Sequence, residues 1–176
     1  ASEVDLHEMP GGQFTNLKAQ ARSLGLEDRW HEVAQAYADA NQMFGDIVKV
    51  TPSSKVVGDM ALMMVSQNLT RAQVEDPAVE VAFPDSVVDM MKGNLGQPPG
   101  GWPAALQKKI LKGEAASTAR PGAAMASVDL EAARTDLSNQ LEGKLIDDED
   151  LNGYLMYPKV FLDYMGRHRI YGPVRT

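Results

Sequence analysis

The chain has 176 residues, enough for one domain with a real core or for two small units. Apolar residues make up 44% and charged residues 23%, a globular balance that argues against bulk disorder, and no apolar run is long enough to span a bilayer. The 24 acids against 17 bases leave a net charge of −7, which disfavours non-specific nucleic-acid binding, and the lack of cysteine excludes disulfides, thiolate chemistry and cysteine metal sites.

The first twelve residues, Ala1 to Gly12, read as a strand and a loop cut out of something longer. Val4 and Leu6 alternate with polar neighbours, which predicts one short strand. Pro10-Gly11-Gly12 breaks it, the glycines permitting positive φ or a close backbone approach. A helix is predicted from about Phe14, with Phe14, Leu17 and Ala21 at helical spacing and Gly25 as its stop.

Leu26 to Phe44 carries the strongest pattern. Leu26, Trp30, Val33, Tyr37, Ala40 and Phe44 form a stripe of period 3.6, with Glu27 and Asp28 in the first turn and Gly45 at the C-cap. After the short apolar link Ile47-Val48-Val50, Thr51 is placed as N-cap and Pro52 as N1 of the next helix. Its buried face is Val56, Val57, Met60, Ala61, Met64 and Val65. Gly58 inside it costs helix stability and points to close packing against another backbone.

Thr70 caps a short turn through Val74, and Asp85 to Lys92 is helical with Val87, Val88 and Met91 inward. Four glycines and three prolines make residues 93–103 a loop of defined turns, and Pro103 starts a helix over Ala104 to Lys112. Gly113 to Ala126 reads as a linker. Ser127 is the expected N-cap of a helix with the stripe Leu130, Ala133, Leu137 and Leu141. Asp147 to Asp150 read as first-turn acids of the next helix, since a metal loop needs spaced ligands and a glycine turn. Pro158 kinks or ends that helix, and Val160, Phe161 and Tyr164 supply a further apolar face.

The catalytic inventory is thin. His7, His31 and His168 do not share metal-ligand spacing, and Ser53-Ser54-Lys55 has no histidine nearby to activate a serine. Lys55 and Asp59 are set to pair four apart on a helix surface. Gly11-Gly12-Gln13 lacks the spacing of a phosphate-binding fingerprint, although amides at a helix start suit an anion. Lys92, flanked by Met90, Met91 and Gly93 at a helix end, lacks the hairpin setting of a biotinylated lysine. Thr15 follows the glycine turn closely, and its hydroxyl both donates and accepts.

Several segments resemble the pyruvate carboxylase family in order along nearly the whole chain. They are His7-Glu8-Met9-Pro10-Gly11-Gly12-Gln13-Phe14-Thr15-Asn16-Leu17, Gly45 to Asp59, Phe83 to Val88, Gly93 to Pro98, Ala119 to Gly122, and Tyr154 to Val160. The resemblance implies a mainly α chain: the helical extension of a TIM-barrel carboxyltransferase domain, with the last barrel strand at its N-terminus. Residues 1–20 are then the last strand, its loop and the start of the last barrel helix. Residues 21–113 are a funnel-like helical extension, 114–126 a linker, and 127–176 helices leading to a linking, allosteric domain.

The implied activity is transfer of a carboxyl group from carboxybiotin to pyruvate, giving oxaloacetate, in a bacterial cytoplasmic enzyme. By the same resemblance Thr15 is the catalytic proton shuttle, and Gly11, Gly12 and Gln13 form a substrate-proximal loop. Biotin, a divalent metal (zinc or manganese) and ATP-Mg serve the full enzyme, with none bound by this chain alone. The implied partners are the rest of the barrel, the biotin carboxylase and biotin carboxyl carrier domains, and other protomers of a homotetramer. The family's metal ligands, carboxylated lysine and pyruvate-binding arginine lie upstream of the matched region, and His7 matches neither metal histidine. Two other readings stay open: a non-catalytic helical scaffold or assembly module, and a subunit of oxaloacetate decarboxylase or a related transcarboxylase.

Overall fold

The computed structural model describes Asp5 and residues 7–172. These residues are mainly helical. The helices are α1 (Gly11–Ser23), α2 (Trp30–Met43), α3 (Ser53–Ser66), α4 (Arg71–Glu75), α5 (Asp85–Lys92), α6 (Ala104–Leu111), α7 (Pro121–Ala124), α8 (Leu130–Gln140), α9 (Asp148–Met156) and α10 (Pro158–Tyr171). They fall into two compact units, Ala1–Met125 and Ala126–Thr176.

The strand expected at the N-terminus is a correction. Val4 and Leu6 lie outside the described residues, Asp5 between them is helical, and no strand occurs among the described residues.

The first unit is built around α3, ten of whose fourteen residues are buried. A helix that is apolar on nearly every side has to be surrounded, and α1, α2 and α5 all pack against it. The faces expected on α2 and α3 are buried, Val33, Tyr37, Ala40, Phe44, Val57, Met60 and Ala61 completely or nearly so. On α5, Val87 and Met91 are inward as expected, but Met90 is buried where Val88 is only partly so.

Helix starts depart from the sequence reading more than helix faces do. The stretch from Leu26 is not one helix: Glu27–Arg29 form a 3-10 turn before α2. Arg29 anchors this junction. Its guanidinium grips both carboxylate oxygens of Glu32 (2.9 and 2.6 Å) and donates to Val65 O at the end of α3 (3.0 Å). Thr51 is not the cap of α3. That helix begins at Ser53, whose hydroxyl donates to Val48 O (2.7 Å) and Val50 O (2.8 Å) and accepts from Val50 N (3.1 Å). Thr70 does cap α4, and with Gln73 it forms a full capping box. At the other end of α4, Lys109 of α6 donates to Val74 O and Asp76 O, both at 2.6 Å, satisfying carbonyls a helix end leaves open.

Gly93 is required where it stands. It closes α5 at φ 88°, and a Cβ there would collide with Ser117 O. Ser117 N donates to Lys92 O (2.8 Å), Gln97 also donates to Ser117 O, and Lys92 pairs with Glu114 (2.5 Å). The segment after α6 is thereby strapped to the end of α5.

The second unit has a small core of Leu137, Ile146 and Leu151. Asp129, not Ser127, caps α8, accepting from Ala132 N (3.0 Å), and this leaves Leu130 exposed rather than on the inner face. Asp147 caps α9 through Asp150 N (2.8 Å), with Asp148, Glu149 and Asp150 in the first turn as expected. Pro158 separates α9 from α10. Phe161 packs edge-on to Tyr154 at 6.3 Å, over Gly153, but Val160 and Tyr164 of the expected face are exposed.

Tyr37 is fully buried in the main core, and its hydroxyl has no hydrogen-bond partner among the described residues. Burial disfavours the phenolate and raises its pKa from 10 to about 12. The unfolded chain therefore ionises this group first. Its contribution to stability is full below pH 10 and is lost as pH rises through 12. Urea unfolding between pH 9 and pH 12 is expected to show the parent losing on the order of 2 kcal/mol more than Tyr37→Phe. Equal losses would contradict the buried phenol.

Candidate functional site

The residues singled out by sequence meet at the start of α1. Pro10 precedes the helix in an extended conformation and offers no side-chain cap. Gly11, Gly12 and Gln13 form the first helical turn rather than a loop. Neither glycine has positive φ, and a Cβ on either would meet nothing within 4 Å. Within this chain, then, neither turn geometry nor crowding calls for them. Their effect is an exposed, uncapped turn with bare backbone amides and no acidic side chain.

Gln13 points the other way. It is only 8% exposed, one of three buried polar or charged residues among those described. Its amide lies over Gly58 of α3, where an added Cβ would stand 2.5 Å from Nε2. Gly58 thus answers to close packing, as its position inside a helix suggests, but against side chains of α1 rather than backbone. The sequence held a signal for this. Leu17 and Ala21 are fully buried, and stepping back four residues along that stripe lands on Gln13.

Thr15 is exposed. Its Oγ1 donates to Gly11 O and Gly12 O, both at 3.2 Å, so the proton rests on the helix's own carbonyls and the oxygen lone pairs stay open. One turn on, Lys18 Nζ lies 5.5 Å from the ring centres of both Phe14 and Trp30. Those rings meet edge to face at 5.3 Å and 89°. This cation–aromatic group went unread in the sequence, where Phe14 and Trp30 belonged to separate stripes. The approach to α1 is held by Met9, which is buried, and by Glu8, which pairs with Lys49 at 3.2 Å.

The other candidates stand apart from this turn. The Ser53 hydroxyl is engaged by the backbone just before α3, Lys55 pairs with Asp59 (2.6 Å), and Ser86 donates to the same carboxylate (2.6 Å). His168 packs against Tyr164 in the second unit. Among the described residues no group of three or more His, Cys, Asp or Glu is placed to hold a metal. No described helix is long and apolar enough to cross a membrane.

A helical domain with an exposed threonine on an uncapped Gly-Gly turn has clear relatives. Residues 4–176 match the family described as a conserved carboxylase domain, and the chain belongs to that family. It is 52% identical to pyruvate carboxylase of Bacillus subtilis and 44% identical to the human mitochondrial pyruvate carboxylase, each over 173 residues. Among solved structures it is similar to a complete multifunctional pyruvate carboxylase from Rhizobium etli (68% identity, TM-score 0.90, 99% of this chain and 17% of that one). The carboxyl transferase domain of the same enzyme aligns with a TM-score of 0.91 over 99% of this chain and 29% of that structure. The chain thus matches the carboxyltransferase region of pyruvate carboxylase. It spans about 15% of the length of the curated relatives.

Because Thr15 is exposed and bonds only to its own helix, removing its hydroxyl leaves little behind. Thr15→Ala is expected to change the unfolding free energy by no more than about 0.5 kcal/mol in urea melts. A loss of several kcal/mol would mean that the side chain holds the turn together.

Proposed function

We propose that this chain is the helical end of the carboxyltransferase domain of a biotin-dependent pyruvate carboxylase, and that Thr15 moves the proton in carboxyl transfer to pyruvate. The observation that carries the reading is an exposed hydroxyl on an uncapped glycine turn, within a chain that matches that domain over nearly its whole length. One of the similar solved structures is described with pyruvate and biocytin. In this reading the segment before α1 closes the barrel and the rest of the first unit braces it. Gly11 and Gly12, having no side chains, let other groups approach the turn.

Carboxybiotin supplies the carboxyl group. Thr15 Oγ1 takes a proton from the methyl carbon of pyruvate and gives its own to the ureido nitrogen, so the hydroxyl ends as it began. The bond between the carboxyl carbon and the ureido nitrogen would break with its electron pair left on that nitrogen, which takes the hydroxyl proton. The methyl carbon, left with the electron pair of its broken C–H bond, would form the new bond to the carboxyl carbon. A threonine suits the task because it donates and accepts at one atom and carries no charge to desolvate. Its back-bond to Gly11 O and Gly12 O holds the hydroxyl at the helix start until a better acceptor is present.

In this reading the metal-binding residues are supplied by the remainder of the barrel. ATP-Mg belongs to the biotin carboxylase domain. The carrier domain brings biotin, and the assembly is a homotetramer in the bacterial cytoplasm.

In the complete enzyme, Thr15→Ala is expected to slow carboxyl transfer by about 10²-fold or more, with ATP-dependent charging of biotin unchanged and Thr15→Ser retaining most activity. Full transfer activity in Thr15→Ala would leave the helical scaffold as the function of this region. The purified 176-residue chain alone is expected to show no oxaloacetate decarboxylation with free biotin; turnover above a protein-free control would overturn the dependence on upstream residues.

A further inference from the structure

We propose that Gly58 is a positioning residue for Thr15: the notch it leaves in α3 seats Gln13, and the seated Gln13 fixes how the first turn of α1 presents the hydroxyl. The inference rests on the reading of Thr15 as the proton carrier.

A glycine in the middle of a helix lowers helix stability by about 1 kcal/mol relative to alanine, so it needs a reason. Gly58 lies inside α3 and does not have the positive φ that would make glycine necessary for the backbone. Space is what remains. A Cβ there would stand 2.5 Å from Gln13 Nε2, 3.1 Å from Leu17 Cδ1 and 3.6 Å from Gln13 Cδ. The two side chains it meets are one helical turn apart on α1, and both are buried, Leu17 completely. Leu17 has no open solvent to swing into and Gln13 almost none, so a methyl group at 58 pushes the amide end of Gln13 out of its seat and crowds Leu17.

The consequence for Thr15 follows from helix geometry. Residues two apart on a helix point about 200° apart, so a Gln13 directed into α3 turns Thr15 outward. The start of α1 has no side-chain cap to fix the turn independently. The seat at Gly58 therefore contributes to where Oγ1 stands, while Leu17 and Ala21 hold the turns that follow.

The test uses the complete enzyme carrying Gly58→Ala. Expected are a kcat for carboxyl transfer lowered about tenfold or more, little change in KM for pyruvate, and unchanged ATP-dependent biotin charging. Val87→Ala, which truncates the same core on α5, serves as the stability control and is expected to transfer normally. Should Gly58→Ala not accumulate as folded enzyme, Gln13→Ser alone, which empties the seat, is read in its place with the same expected loss. Wild-type transfer in the variant that is read, or an equal loss in Val87→Ala, overturns the inference. Thr15→Ala in the same assay separates the two ideas: if it is inactive while the seat variants are not, only the role of Gly58 fails, and if it transfers normally the reading of Thr15 fails as well.

Discussion

The first unit depends on one constraint: α3 has almost no face for water. Apart from Ser53, Lys55, Asp59 and Ser66 at its edges and ends, every residue of this helix is buried. Methionines at 60, 63 and 64 fill the space between helices with flexible chains that adapt to several neighbours at once. Burying such a helix requires partners on several sides, and α1, α2 and α5 supply them. The position of α1 is therefore a consequence of α3, and the exposed turn at the start of α1 inherits its orientation from a core that has nothing to do with chemistry.

The polar contacts hold the pieces that this packing brings together. Arg29 reaches the carboxyl end of α3, Lys109 the carboxyl end of α4, and Ser53 the chain just before α3. Arg29 and Lys109 reach carbonyls at helix ends, and Ser53 reaches loop carbonyls of Val48 and Val50. Isolated ion pairs on the surface, such as Arg22 with Glu27, add little by comparison because water competes for both charges. Arg29 and Lys109 differ in that their targets are backbone groups with few alternatives.

What was legible in the sequence follows the same division. Periodicity marked the buried faces of α2, α3 and much of α5, because burial is a property summed over a whole helix. Starts and caps were harder, since a single hydrogen bond decides them. Thr51 and Ser127 are good capping residues by type, yet α3 begins at Ser53 with no side-chain cap, and α8 is capped by Asp129, two residues further along. The strand reading rested on alternation of Val4 and Leu6 alone, and alternation has no meaning without a partner strand. Val160 and Tyr164 kept their helical spacing but found no core within their own small unit, so spacing overstated burial there.

The candidate site was legible in its residues and not in its geometry. The Gly-Gly-Gln-Phe-Thr order identified the segment, and the family resemblance placed Gln13 in a substrate-proximal loop beside Thr15. The structure separates them, one into the core and one out of it, by the turn of a helix that begins earlier than its apolar stripe. Burying a glutamine takes its amide out of water, and the room for it here is left by a glycine 45 residues downstream. No local pattern around residue 13 contains that information. It becomes visible only when the unfavourable glycine in α3 and the unlikely polar residue in α1 are treated as two halves of one contact, each accounting for the other's departure from helical expectation.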